Sequence, residues 1–208
     1  MQDLVKIKQQ NVLERIRKRS ANIDVAGLVR GIGSVYILLD CSGSMMVEGK
    51  ITQAKKGAMN FVVEAQGKGY SVGLIQFGSS AIHVCEPQRE ISVLEKCLNT
   101  IKASGSTNMT DAILLALQKL KGRKGYRVMV IVTDGMPDSQ GAAVEAARQA
   151  KANGIDILTI GTDDADRDFL AKLASKTELS VKVTRDKLEQ GITSMAKMLP
   201  DKGGDIDV

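Results

Sequence analysis

Short apolar runs alternate with helical patterns along most of the chain, and the two periodicities predict an ordered series of strands and helices. Apolar runs predict strands at 35–40, 71–78, 81–86, 127–133, 155–160 and 179–184. Apolar residues spaced by three and four positions predict helices at about 50–67, 91–101, 109–121, 140–152, 165–175 and 186–198. Alternation of this kind is typical of βαβ units and therefore predicts a largely parallel sheet.

The link between the second and third predicted strands is the exception to this alternation. Only Ser79 and Ser80 lie in it, which allows a hairpin but not a crossover, so 81–86 is predicted to be an antiparallel edge strand. The predicted fold class is α/β: a doubly wound, Rossmann-like three-layer sandwich. Its sheet is expected to be six-stranded and mostly parallel, with helices on both faces.

The two ends of the chain differ from this central region. Residues 1–33 hold seven basic and three acidic residues and carry most of the net charge of +5, with a helix predicted at 2–19 and a linker of small residues after it. Residues 34–198 are nearly neutral and form the predicted domain, and 199–208 are predicted to be a flexible tail. The basicity therefore belongs to an N-terminal arm and not to the domain.

Composition indicates the cellular setting. Hydrophobic residues make up 43% of the 208 positions, enough for a sizeable core, and no apolar run approaches the roughly 20 residues of a membrane span. The three cysteines show no CxxC spacing and are odd in number, which argues against a disulfide framework and for a reducing compartment. Since no signal-peptide pattern is found either, a cytoplasmic location is predicted.

Candidate chemistry begins where the first predicted strand ends, in the segment DCSGSM at 40–45. Asp40 closes the strand, and Ser42 and Ser44 follow at two-residue intervals, so a turn can direct all three side chains into one pocket. A carboxylate with neutral hydroxyls suits a hard cation such as Mg²⁺. Taken alone, the segment is equally consistent with an Asx turn or a helix N-cap.

Two further segments place polar side chains where they can complete that pocket. The hydroxyl-rich loop GSTNMTDAI at 105–113 contains Thr107, and the strand VMVIVTDG at 128–135 ends in Asp134. Ligands of open α/β sheets bind beyond the carboxyl ends of the strands, where the strand order reverses. If the first and fourth strands are neighbours at that point, Asp40 and Asp134 meet in one crevice.

The order Asp-x-Ser-x-Ser, then Thr, then Thr-Asp-Gly resembles the von Willebrand factor A domain family and its metal-ion-dependent adhesion site, over roughly residues 34–198. The resemblance is to the bacterial intracellular type. It implies that three hydroxyls bind Mg²⁺ (or Mn²⁺ or Ca²⁺), while two carboxylates hold coordinated waters or, in another state, bind the ion directly. The metal residues that it implies are Asp40, Ser42, Ser44, Thr107 and Asp134.

The resemblance also separates the two threonines of the middle segment. The family pattern places the ligand threonine directly before an asparagine, as Thr107 precedes Asn108. Thr110 is instead expected to cap the helix that follows.

Other side chains that could bind a metal or react fit structural roles better than a second site. One acidic cluster lacks the Gly and Glu positions of an EF-hand loop and is expected at a helix N-terminus. The single histidine, His83, is expected to be structural or exposed, and Cys41 is expected to turn its small side chain into the core. The acidic cluster comprises Asp163, Asp164, Asp166 and Asp168.

The resemblance implies a protein-binding module. Because the hydroxyl ligands are neutral, we expect the protein partner to supply an Asp or Glu carboxylate to the metal. No catalytic activity is predicted, since the pocket shows no positioned nucleophile or base. Such domains often serve as accessory subunits of ATPase or chelatase machines.

Two alternatives stay open. A Mg²⁺-dependent hydrolase would use the same site, although the motif loops lack a phosphate-binding Lys or Arg and any general base other than the two Asp. A DNA-binding accessory protein would act through the basic arm. Because the arm lacks interleaved aromatic residues, a solvated helix or docking to an acidic protein partner is favoured over nucleic acid.

Overall fold

A computed structural model describes residues 32–163 and 165–201 of the chain. The helix predicted at 2–19 lies outside these residues, as do most of the arm predicted at 1–33 and most of the tail predicted at 199–208. Within the described part of the chain, no helix is both long and apolar enough to cross a membrane.

Strands and helices follow each other in the predicted alternation. The strands are β1 (Gly33–Asp40), β2 (Tyr70–Phe77), β3 (Ala81–Gln88), β4 (Tyr126–Thr133), β5 (Asp156–Gly161) and β6 (Ser180–Lys182). The helices are α1 (Lys50–Gly67), α2 (Ile91–Thr100), α3 (Met109–Leu120), α4 (Gln140–Ala152), α5 (Arg167–Leu173) and α6 (Leu188–Met195). Short 3-10 turns lie at Gly43–Gly49, Thr177–Leu179, Arg185–Lys187 and Ala196–Met198.

In the described residues, six strands form one sheet in the order β3-β2-β1-β4-β5-β6. All neighbouring pairs are parallel except β2 and β3, which form the predicted antiparallel hairpin at the edge. The order reverses between β1 and β4, because the chain leaves β1 toward β2 on one side and later returns to β4 on the other. The predicted α/β fold class is confirmed, and the first and fourth strands are neighbours.

Both faces of the sheet are covered by helices, because the central strands are apolar on both sides. In β1, Val35, Ile37 and Leu39 belong to the core layer with α1, α2 and α6, whereas Tyr36 and Leu38 belong to the layer with α3, α4 and α5. All five side chains are fully buried. The sheet is therefore a rigid base for the loops at its ends.

Helices α1 and α6 approach each other closely on one face of the sheet. A Cβ atom added at Gly57 would lie 2.8 Å from the backbone oxygen of Glu189 and 2.9 Å from Cβ of Ile192. The missing side chain of Gly57 thus allows the two helix backbones to come together.

Two helices are shorter than the periodicity predicts. Helix α5 begins at Arg167 and not at 165, because the Asp166 carboxylate accepts hydrogen bonds from the N–H groups of Asp168 (2.8 Å) and Phe169 (3.0 Å) and so caps the helix. The segment predicted as one helix at 186–198 consists of α6 with a 3-10 turn on each side.

Candidate metal site at the carboxyl end of the sheet

The carboxyl ends of β1 and β4 carry the polar residues of the candidate site. Asp40 is the last residue of β1, Thr133 is the last residue of β4, and Asp134 comes directly after it. Leu39 pairs with Val132 in the parallel ladder, so the two strand ends lie side by side. The structure thus brings Asp40 and Asp134 to the same point of the sheet edge, where the strand order reverses.

Asp40 is fully buried, and both neighbouring segments hold its carboxylate. Oδ1 accepts a hydrogen bond from the Ser42 N–H at 2.8 Å, and Oδ2 accepts one from Thr133 Oγ1 at 2.6 Å. Burial raises the pKa of Asp40 to about 6, while the hydrogen bonds from Thr133 and Ser42 act to lower it and the charge of Asp134 adds to the increase. A cation at this point would favour the charged carboxylate.

Ser42, Ser44 and Asp134 form a continuous chain of oxygen atoms beside Asp40. The hydroxyl oxygens of Ser42 and Ser44 lie 3.0 Å apart, and Ser44 Oγ donates a hydrogen bond to Asp134 Oδ1 at 2.7 Å. Ser42 and Asp134 are buried, whereas Ser44 is exposed. Two hydroxyls and a carboxylate therefore converge at a point that solvent can reach.

Thr107, the fifth predicted metal residue, lies on a loop that is fixed to the same turn by its backbone. The Gly43 N–H donates to the carbonyl of Gly105 at 3.0 Å, and the Ser104 N–H donates to the carbonyl of Cys41 at 2.5 Å. Within the described residues, the Thr107 hydroxyl makes no hydrogen bond to the other four predicted residues. The structure brings those four together and places Thr107 on the adjoining loop.

Asn108, and not Thr110, caps helix α3. The Asn108 side-chain oxygen accepts a hydrogen bond from the N–H of Asp111 at 3.2 Å, and Thr110 is already the second residue of the helix. The prediction for Thr110 was wrong because an asparagine side chain is short enough to accept from the N–H three positions later, as N-cap residues do.

Lys50, the first residue of α1, is a component of the site that the sequence patterns did not indicate. Its ammonium donates a hydrogen bond to Asp134 Oδ2 and forms an ion pair with Asp163 Oδ2 at 3.0 Å. Burial of the ammonium opposes its charge, but the hydrogen bonds to Asp134 and Asp163 outweigh this effect, and the pKa of Lys50 lies above its ordinary value. One signal was present: Lys50 extends the buried stripe of Ala54 and Ala58 by one helical turn.

The ion pairs continue from Lys50 to the start of α6. Asp163 accepts a hydrogen bond from Arg185 Nε at 2.9 Å, and another nitrogen of Arg185 donates to Glu48. Asp163 was expected at a helix N-terminus, and this expectation was wrong, because its side chain turns back to pair with Lys50. The expectation holds for Asp166, which caps α5.

Two further predictions concern Cys41, next to the site, and His83, at the sheet edge. Asp164 of the acidic cluster lies outside the described residues. Cys41 is buried in the core, and burial raises the pKa of its thiol to about 12, so its predicted structural role agrees with its environment. His83 is partly exposed on β3, with its Nε2 3.0 Å from the hydroxyl oxygen of Tyr36.

The donor set of the site fits a hard divalent cation. Two carboxylates and two serine hydroxyls meet where β1 and β4 end side by side, and oxygen atoms are the ligands that Mg²⁺, Mn²⁺ and Ca²⁺ prefer. In the described residues, no group of three or more His, Cys, Asp or Glu side chains is arranged to hold a metal. An ion at this site would therefore use the hydroxyls of Ser42 and Ser44 as ligands.

Comparison with known proteins identifies the family. The model of the von Willebrand factor type A domain matches residues 34–196, and the chain belongs to this family.

Individual relatives and solved structures share this domain or its fold. Thrombospondin-related anonymous protein of Plasmodium falciparum is 26% identical over 141 residues, which cover 61% of this chain and 25% of that protein. The chain therefore spans about a quarter of that relative's length. The pilus adhesin SpaC of Lactobacillus rhamnosus GG superposes with a TM-score of 0.72 at 16% identity, over 81% of this chain and 30% of the adhesin.

A further solved structure of this fold contains a metal. Proximal thread matrix protein 1 of the mussel byssus, with a zinc-occupied metal-ion-dependent adhesion site, superposes with a TM-score of 0.70 at 17% identity, over 81% of this chain and 46% of that protein. At this level of identity, the likeness shows the fold of our chain and not its ligand.

Proposed function

We propose that the protein is a divalent-cation-dependent binding module whose protein partner supplies an Asp or Glu carboxylate to the bound ion. One observation carries the proposal: the hydroxyls of Ser42 and Ser44 and the carboxylate of Asp134 converge beside the buried Asp40, at the strand reversal of a von Willebrand A fold. The zinc in the corresponding motif of the mussel protein supports a metal at this point. Mg²⁺ or Mn²⁺ is the ion expected from the oxygen ligands.

The charges around the site explain why a carboxylate is the expected partner group. Serine and threonine hydroxyls are neutral and leave most of the charge of a divalent ion unbalanced. Asp134 contributes little direct balance, because the ammonium of Lys50 already offsets its charge. A carboxylate that replaces a bound water gains a direct attraction, which is strongest where the partner excludes solvent.

We propose further that the module has no catalytic activity of its own. Both carboxylates that would serve as a general base are engaged: Asp40 accepts from Ser42 and Thr133, and Asp134 accepts from Ser44 and Lys50. The ammonium of Lys50 lies between two carboxylates, which leaves it unsuited to binding a phosphate group.

A cytoplasmic role as an accessory subunit of an ATPase or chelatase machine stays a prediction from the resemblance.

The test has two stages. Calorimetry with Mg²⁺ and Mn²⁺ is expected to show one binding site in the wild-type protein. Retention of a partner on the immobilised protein is then expected with Mg²⁺, to be lost with EDTA, and to return when Mg²⁺ is restored. Equal retention with and without chelator would eliminate metal-bridged binding, and turnover in a phosphatase, esterase or nuclease screen that Asp134→Ala abolishes would favour the hydrolase.

A further inference from the structure

The two oxygens of the Asp134 carboxylate have separate partners. Oδ1 accepts a hydrogen bond from Ser44, which belongs to the candidate metal site, and Oδ2 accepts one from Lys50, which does not. The orientation of this carboxylate, and the number of its oxygens that are free to bind an ion, therefore depend on Lys50.

Two features of the Lys50 position oppose a cation, and the carboxylates of Asp134 and Asp163 offset them. The Lys50 side chain is 6% exposed, and Lys50 is the first residue of α1, where the helix dipole repels positive charge. A buried ion pair is weak evidence for stability, because desolvation of both charges opposes the attraction between them. The placement of an ammonium here is therefore better explained by what it does to Asp134.

Charged residues other than Asp134 also hold Lys50 in place. Asp163 pairs with both Lys50 and Arg185, and Arg185 pairs with Glu48 as well. Glu48 and Asp163 have positive φ angles of 49° and 50°, a backbone region that residues with side chains rarely adopt. Together with Asp134, the cluster holds three carboxylates and two cations, which leaves one net negative charge.

We propose that Lys50 is a positioning residue, which keeps one oxygen of Asp134 away from the bound ion and thereby preserves the ion's attraction for the partner's carboxylate. This inference rests on the proposed function, because it requires that a divalent ion binds at Ser42 and Ser44. Without the Lys50 charge, both oxygens of Asp134 would be free to bind the ion. The ion would then be held more tightly, and it would attract an external carboxylate less.

The test compares Lys50→Met with Lys50→Arg and with Lys56→Met, an exposed lysine of the same helix that serves as the control. Mn²⁺ affinity is measured by calorimetry. Acetate, as the carboxylate probe, is titrated into the Mn²⁺-loaded protein while the relaxation of water protons reports displaced water.

For Lys50→Met we expect roughly tenfold tighter Mn²⁺ binding, because a unit positive charge close to the ion is removed, together with weaker acetate binding. Lys50→Arg is expected to restore both values toward the wild type, and Lys56→Met to leave both unchanged.

The outcomes separate this inference from the proposed function. A wild-type protein that binds no divalent ion contradicts the proposed function itself. If the wild type binds Mn²⁺ but Lys50→Met changes neither affinity, or weakens both in parallel, Lys50 has only a structural role and the inference is overturned.

If Lys50→Met does not fold, a second variant tests the inference. Asp163→Asn removes the competing partner of Lys50 and leaves its ammonium to Asp134 alone, so Mn²⁺ is expected to bind more weakly than in the wild type. Unchanged or tighter Mn²⁺ binding by Asp163→Asn would also overturn the inference.

Discussion

Asp40 shows at the scale of one residue what the candidate site lacks, which is a positive charge paired with its buried carboxylate. The carboxylate is fully buried, and among the described residues no Lys or Arg contacts it; hydrogen bonds from Ser42 and Thr133 are its support. A buried carboxylate without a paired cation is costly, which its raised pKa reflects. A divalent ion would supply the missing positive charge.

Thr133→Val is expected to lower the stability of the metal-free protein. The substitution keeps the shape of the side chain but removes the hydrogen bond to Asp40 Oδ2, leaving a buried acceptor less satisfied, and it also removes the longer hydrogen bonds to the backbone of Gly135. We expect a loss of about 1–3 kcal/mol in the free energy of unfolding, measured by urea titration at pH 7.5. Thr52→Val, at an exposed position of α1, is the control and should stay within about 0.5 kcal/mol of the wild type. Equal stability of both variants would show that the Thr133 hydrogen bond contributes nothing.

Ser42→Ala is expected to abolish or strongly weaken Mg²⁺ binding while the fold persists. The hydroxyl lies 3.0 Å from that of Ser44 and serves the site, whereas the rest of the side chain is small and leaves no large cavity. Calorimetry measures the binding, and thermal unfolding with and without Mg²⁺ checks it independently, because an ion that binds only the folded state raises the midpoint. Ser80→Ala, in the exposed β2–β3 turn, should bind as the wild type does. Unaltered Mg²⁺ affinity in Ser42→Ala would remove Ser42 from the site.

His83 is expected to titrate below its ordinary pKa of 6.5. Burial lowers its pKa first, followed by the positive charge of Lys119, with Glu86 opposing and Arg123 adding to the decrease; the Tyr36 hydroxyl contacts its Nε2. The folded protein therefore binds fewer protons than the unfolded chain between the lowered pKa and 6.5. Its stability is expected to fall slightly as the pH decreases through that window.

Proton NMR measures this directly, since the sequence contains a single histidine. Lys119→Gln should move the His83 midpoint upward, because it removes a nearby positive charge. Lys172→Gln, exposed on α5, is the control and should not move it. A midpoint at or above 6.5 in the wild type would contradict the assignment of these causes.

At the scale of elements, the contact between α1 and α6 makes Gly57 a sensitive position. An alanine in a helix usually stabilises by up to about 1 kcal/mol relative to glycine. At Gly57, however, the added Cβ would lie 2.8 Å from the Glu189 oxygen, so we expect Gly57→Ala to destabilise the protein by about 1–3 kcal/mol through overpacking. Gly67→Ala, with open space at the end of the same helix, should be neutral or slightly stabilising. Urea unfolding of the two variants distinguishes these effects, and a stabilised Gly57→Ala would show that α6 moves easily.

The elements themselves were largely predictable, because each depends on local periodicity. β1 is apolar at every position up to Asp40 after its first two residues, Gly33 and Ser34, and α1 carries its apolar stripe at regular spacing. Predictions of side-chain contacts failed where two neighbouring residues could each cap a helix, or where the partner is distant in sequence. Asn108, and not Thr110, caps α3, and Lys50 forms a hydrogen bond with Asp134, which is 84 positions away.

At the scale of the whole molecule, the topology made the position of the candidate site predictable, but not its full set of contacts. Strand order follows from the crossovers and the hairpin, and the strand reversal then determines where ligands bind. Motif residues at the two strand ends were therefore placed correctly in the fold. The cluster of Lys50, Asp163 and Arg185 carries no such pattern, since its members come from three unrelated loops and helix ends.

The hydrogen bond between Ser44 and Asp134 joins positions 90 residues apart, which has a consequence for the time course of folding. Contacts between such distant positions form only after long segments of chain have been ordered, and proteins rich in them fold slowly. Helices can form earlier from local contacts, but β1 and β4 must have paired before their ends can bind an ion. An ion at the proposed site would then bind only after helical circular dichroism has appeared during refolding, and a nascent chain that has not yet reached Asp134 would lack this site.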